Sequence, residues 1–123
     1  MIFYNHLNDS HPLPEPLGKN LKTACEGLAN VYITDGGSSI QVTGISSGKL
    51  NAIERVRKSL ELNVDEISVF GDDVNDLEMI SFYPNSVAMG NGVDSVKRAA
   101  GFVTRANDDG GVAYALESLL KIV

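Results

Sequence analysis

Hydrophobic positions change their period along the chain, and that change marks out its organisation. The opening run MIFYNHLNDSHPLPEP starts apolar, as a short strand would, and then breaks at Pro12, Pro14 and Pro16, which lack the backbone donor that regular structure needs. Leu17, Leu21, Cys25 and Leu28 follow at helical spacing and predict an amphipathic helix over 17–29. NVYIT reads as a strand, DGGSS as a turn whose glycines permit positive φ, and IQVTGI as the partner strand of a hairpin.

After SSGK the pattern becomes an alternation of helix and strand. Leu50, Ile53, Val56 and Leu60 predict one apolar helix face, with Arg55, Arg57 and Lys58 elsewhere on the wheel. EISVF, SVAMG and GFVT read as short strands; DLEMISFY, DSVKRAA and VAYALESLLKI read as helices. Repeated βα units of this length predict an α/β fold, a parallel sheet covered by helices. The best boundary lies near Ser46–Gly48, where the hairpin part meets the βα part.

Candidate chemistry gathers in VFGDDVNDLEM, residues 69–79, where four acids and an asparagine stand between two apolar runs. In an open parallel sheet, ligands bind beyond the carboxyl ends of the strands. ISVFGDD places Asp72 and Asp73 at such an end, and Asp76 follows at the start of the next helix. Hard oxygen ligands suit Mg²⁺, which takes one or two carboxylates and keeps several waters. The alternative is plain capping, with Asp72 or Asp73 closing the helix start and Asp76 and Glu78 favouring its positive end. Spacing alone leaves both open. GISSGKL fails as a P-loop, because Gly44 is one residue too close and Leu50 stands where a hydroxyl would hold the metal. Lys49 is then either a solvated residue or a lone cation able to reach a phosphate. MGNG (89–92) and NDDGG (107–111) are turns before helices, so Asn91, Asp94, Asn107 and Asp108 read first as caps and second as candidates for the mouth of the same site. His6 and His11 have no partner at ligand spacing and receive no role.

Bulk properties narrow the classes. The 123 residues carry a net charge of -6 with ten scattered Lys and Arg, which excludes the clustered basic face of a nucleic-acid binder. No apolar run approaches the roughly 20 residues that span a bilayer, and the N-terminus lacks a signal peptide's basic start and long apolar stretch. Cys25 is the lone cysteine, read as a buried thiol rather than a nucleophile. These features predict a soluble, cytoplasmic protein.

The stretches GKLNAI, ISVFGDDVNDLEMI, VAMGNGVDSVKRAAGFVT and NDDGGVAYAL together resemble the C-terminal half of the Cof-like group of haloacid dehalogenase (HAD)-type phosphatases, in the family's order. The resemblance implies a partial Rossmann-like core over 46–123 and a remnant of an α+β cap domain over 1–45. It implies that Asp72 is the direct Mg²⁺ ligand and Asp76 a second acid supporting the metal. Lys49 would be the catalytic and phosphate-binding lysine, and Asn75 a polar residue near the phosphate. Asp73, Asn91 and Asn107 are candidates for the site mouth. Leu50 departs from the glycine usual after that lysine.

The family's nucleophile is the first aspartate of a D-x-D motif, and no D-x-D occurs in these 123 residues. The DD pairs at 72–73 and 108–109 have the wrong spacing, and NDS at 8–10 lacks both partners. Covalent catalysis needs an activated nucleophile, so the expectation is a fragment of a Mg²⁺-dependent phosphatase of small phosphate monoesters such as sugar phosphates, inactive as this isolated chain. In the family the nucleophile's strand lies beside the strand carrying GDD. Without it EISVF would present a bare parallel edge, predicting self-association or a complementary N-terminal half. The alternative is a non-catalytic metal- or phosphate-binding regulatory module. A receiver-like reading fails on order, because Lys49 precedes the acidic cluster.

Overall fold

The computed structural model describes residues 2–4 and 13–122. His6, His11 and the NDS stretch lie outside them. The chain divides into two compact units, Met1–Asn51 and Ala52–Val123.

In the first unit β1 (Ile2–Tyr4), β2 (Ala29–Thr34) and β3 (Ser39–Gly44) form an antiparallel sheet in the order β1–β3–β2. The hairpin register runs from Ala29↔Gly44 to Thr34↔Ser39. Its turn is a 3₁₀ turn at Asp35–Gly37, in which all three residues take positive φ. α1 (Glu15–Ala24) precedes the hairpin, with Pro16 in its first turn, where a missing N–H leaves no bond unmade. The helix is shorter than its periodicity predicts. Cys25 caps it, half-buried, and Gly27 at φ 72° turns the chain into β2, leaving Leu28 77% exposed. Gly18 lets α1 close on the sheet, since a Cβ there would lie 2.6 Å from Ile33 Cδ1.

The second unit carries the βα alternation. α2 (Lys49–Ser59) begins in the first unit and continues into the second, and a 3₁₀ turn at Val64–Glu66, closed by an Asn63–Glu66 capping box, leads to β4 (Ser68–Gly71). β5 (Asn85–Ala88) and β6 (Phe102–Val103) complete a parallel sheet in the order β4–β5–β6. α3 (Leu77–Phe82) and α4 (Asp94–Ala99) are the crossovers. α5 (Gly111–Tyr114) follows β6 and continues as a π-helical turn over Ala115–Leu119. In central β5 Val87 and Ala88 are fully buried, and Met79, Ile80, Tyr83 and Val96 of the flanking elements are buried as well. The register Gly71↔Ala88 and Ala88↔Val103 sets the three carboxyl ends level.

α2 departs from the expected apolar face. Val56 and Leu60 are 58% and 62% exposed. The packed side of the helix is instead the one bearing Glu54, which accepts a 2.7 Å hydrogen bond from the hydroxyl of buried Tyr83 and two from Arg57. Arg57 also donates to the carbonyl of Leu62, tying off the helix end. The Arg57 and Tyr83 hydrogen bonds hold the Glu54 carboxyl down at about 2, from an ordinary 4.5. A depressed folded-state pKa contributes stability that is complete above the unfolded value and lost as pH falls through the folded one. The stability of the chain should therefore decline between pH 4.5 and about 2 more steeply than that of Glu54→Gln. Urea midpoints of the two proteins measured across that range check this, and parallel curves would refute it.

Candidate functional site

The acidic stretch sits at the carboxyl end of β4, and its geometry starts from Gly71. A Cβ on Gly71 would lie 2.6 Å from Asp76 Cβ and 2.9 Å from Asp76 Cγ, so only glycine lets the Asp76 side chain fold back over the strand end. Asp76, 3% exposed, accepts through Oδ2 from the N–H of Asp72 at 2.9 Å and of Asp73 at 3.4 Å. Asp73 accepts through Oδ1 from the N–H of Val74 at 2.7 Å, and the Asp73–Asp76 pair forms a capping box on the 3₁₀ turn Val74–Asp76 that opens α3. Capping therefore falls to Asp73 and Asp76. Asp72 is exposed at the strand end, on a backbone clamped from both sides.

The second clamp is the loop after β5. Met89 N–H donates to the Gly71 carbonyl at 2.9 Å, and Val93 N–H to the Asp72 carbonyl at 2.8 Å. That loop is joined in turn to the one after β6, where Gly90 N–H donates to the Arg105 carbonyl at 3.0 Å and Asn107 N–H to Asn91 Oδ1 at 2.9 Å. A Cβ on Gly90 would lie 2.8 Å from the Thr104 carbonyl oxygen and 2.9 Å from Ala106 N, so this junction also needs its glycine. Asn91 thus ties two loops together rather than capping a helix. Neither α4 nor the 3₁₀ turn Asn107–Asp109 has a side-chain cap, and Asp94 sits in the first turn of α4, 3.8 Å from Lys97 Nζ.

The structure brings Asp72, Asp73, Asn75 and Asp76 together in one strand–turn–helix, and Asn91 with Asn107 in the adjoining loops. Lys49 is the first residue of α2 and belongs to the first unit, Met1–Asn51. Among the described residues no three His, Cys, Asp or Glu side chains form a group able to hold a metal ion. A Mg²⁺ corner needs fewer, since this cation takes one or two carboxylates and fills the rest of its octahedron with water. An exposed carboxylate on a fixed backbone is a donor of that kind. No helix of the described residues is long and apolar enough to cross a membrane.

Losing the Asp76 carboxylate leaves two part-buried N–H groups without their acceptor. Asp76→Ala should cost about 2–4 kcal/mol in urea unfolding, whereas Asp73→Ala, the loss of one cap, should cost about 1 kcal/mol. Hydrogen exchange at the Asp72 amide should quicken only in the first variant; equal behaviour of the two would refute this division of roles.

Residues 3–116 match the profile of the haloacid dehalogenase-like hydrolases. The chain is 34% identical over 105 residues to the 5-amino-6-(5-phospho-D-ribitylamino)uracil phosphatase YwtE of Bacillus subtilis, covering 82% of this chain and 37% of that protein. A HAD/COF-like hydrolase from Plasmodium vivax superposes with a TM-score of 0.83 at 28% identity, over 95% of this chain and 40% of that one. A haloacid dehalogenase-like hydrolase from Bacteroides thetaiotaomicron does so with 0.68 at 31%, over 85% and 39%. The chain spans 32%, 37% and 35% of the length of three curated Bacillus subtilis relatives. On the profile match and these identities, the chain belongs to the haloacid dehalogenase-like hydrolase family.

Proposed function

We propose that this chain supplies the acidic, cation-holding side of a phosphatase of small phosphate monoesters such as sugar phosphates. The observation that carries the reading is the clamped strand end, where Asp76 and the loop after β5 fix the backbone of Asp72 from opposite sides. In this reading 46–123 is the C-terminal half of the core and 1–45 a remnant of the cap. Bound Mg²⁺ would neutralise charge on the phosphoryl group. Asp72 presents the carboxylate that holds the cation, and Asp76 keeps that carboxylate in place through the Asp72 amide. Asn75 contacts the phosphate, and Lys49 steadies the nucleophile and the phosphoryl group. Asp73, Asn91 and Asn107 shape the mouth.

The nucleophilic aspartate of a D-x-D motif is not among these 123 residues. Catalysis on this reading needs a strand that brings one. β4 pairs only with β5 among the described residues, so its other edge is where a further parallel strand would add. The partner is therefore a complementary N-terminal half or, failing that, a second copy of the chain.

The isolated chain should bind Mg²⁺ in isothermal titration, with affinity at least tenfold lower in Asp72→Asn, and should show negligible turnover of a generic phosphate ester. Co-expression with a D-x-D-bearing N-terminal half of a relative should restore turnover. Robust turnover by the pure chain, abolished in Asp72→Asn, would overturn the assignment of the nucleophile. Mg²⁺ binding without turnover under every combination would favour a non-catalytic binding or regulatory module, a reading that the missing D-x-D supports. Light scattering at micromolar concentration should find the chain self-associated; a strictly monomeric, well-folded profile would count against the open edge.

A further inference from the structure

The loop after β5 grips the strand end through two backbone bonds, Met89 N–H to the Gly71 carbonyl and Val93 N–H to the Asp72 carbonyl. Between those anchors the chain makes a β-turn, with Gly92 N–H donating to the Met89 carbonyl at 2.9 Å. That bond is internal and seats the turn on nothing else. Gly90 N–H holds one side of the turn on the Arg105 carbonyl, and Asn91 holds the other, its Oδ1 accepting from Asn107 N–H at 2.9 Å. Asn91 is the one residue of 89–93 with an amide side chain. The loop also rests directly on the residue it grips: a Cβ on Gly92 would lie 2.9 Å from the Asp72 carbonyl oxygen and 3.0 Å from its Cα. A shift of this loop is therefore a shift of Asp72. Mg²⁺ demands a near-ideal octahedron, whereas Ca²⁺ accepts variable coordination, so a displaced carboxylate costs the smaller cation more.

We propose that Asn91 is a positioning residue for the cation site. By seating the loop after β5 on the Asn107 amide, it keeps Val93 N–H on the Asp72 carbonyl and the Asp72 carboxylate where Mg²⁺ needs it. It acts through Asp72 rather than on the cation. The inference rests on the cation-holding reading of Asp72, and it goes past that reading in giving the loop after β6 a part in cation affinity. Asn91 is exposed, so water competes for its bond and the effect is severalfold rather than all or none.

The test compares Asn91→Ala with Asn85→Ala in the full chain. Asn85 opens β5 at the end of the strand away from the acids, and its Nδ2 donates to the Asp65 carbonyl at 2.6 Å. Each variant thus loses one bond from a side chain to the backbone, and urea midpoints should fall by similar small amounts. Isothermal titration with Mg²⁺ should give an affinity roughly twofold to fivefold lower in Asn91→Ala and unchanged in Asn85→Ala. Ca²⁺ should lose less than Mg²⁺ in Asn91→Ala. Hydrogen exchange at the Val93 amide should quicken in Asn91→Ala alone, and Asn91→Asp, which keeps the acceptor, should return it to the wild-type rate. Wild-type Mg²⁺ affinity in Asn91→Ala, or equal losses in the two alanine variants, overturns the role of Asn91 and leaves the reading of Asp72 standing. A loss of affinity with unchanged exchange at Val93 overturns it as well, since the loss then does not pass through the clamp. A folded wild-type chain that binds no Mg²⁺ overturns the reading of Asp72 and this inference with it.

Discussion

The carboxylate of Asp76 is buried, and it lies there because the N–H groups of Asp72 and Asp73 both aim at one of its oxygens. A buried carboxylate without such donors carries a large desolvation cost. The donors are available only because β4 ends at Gly71, which has no Cβ to keep the side chain away. From this contact the rest of the sheet end is assembled. The Gly71 and Asp72 carbonyls are turned toward the loop after β5, which takes both, and that loop is bonded to the loop after β6. Three loops that would otherwise move separately become one backbone-bonded surface.

Much of this architecture was legible in the sequence, for physical reasons. SVF, SVA and FV are short apolar runs ended by turn residues, and they alternate with helix-period segments, which is what a parallel sheet covered by helices requires. The hairpin was equally readable from DGGSS. The end of α1 is not marked by the apolar period, because Leu28 continues that period although the helix stops at Ala24 and is capped by Cys25. The orientation of α2 was hidden for a different cause. That helix carries both an apolar stripe and the polar trio of Glu54, Arg57 and Lys58, and Tyr83, 29 residues further on, settles which side packs.

The candidate site divides the same way. Its location at a strand end followed from βα alternation, and the acidic composition followed from reading the letters. The division of labour among the acids did not follow, because Asp72, Asp73 and Asp76 are chemically alike. Only the direction of the backbone N–H groups distinguishes a capping carboxylate from one presented to solvent. The link between Asn91 and Asn107 spans 16 residues and has no local signature.

Two unsatisfied features of the second unit converge on β4. Parallel strands are normally covered on both faces, and β4 is an edge strand with one neighbour among the described residues. The helix feeding it, through the turn at Val64–Glu66, exposes Val56, Leu60 just past its end is exposed too, and Val64 itself is 39% exposed. An apolar helix stripe and an open strand edge leading to the same strand are a single deficit, one that an added strand with its own covering element would remove together. If the acids just beyond β4 serve a phosphatase, the nucleophile they need belongs at the same place. On the proposed reading these are one fact. The strand that would complete the sheet is the strand that would complete the reaction, so folding stability and catalysis should appear together when it is supplied.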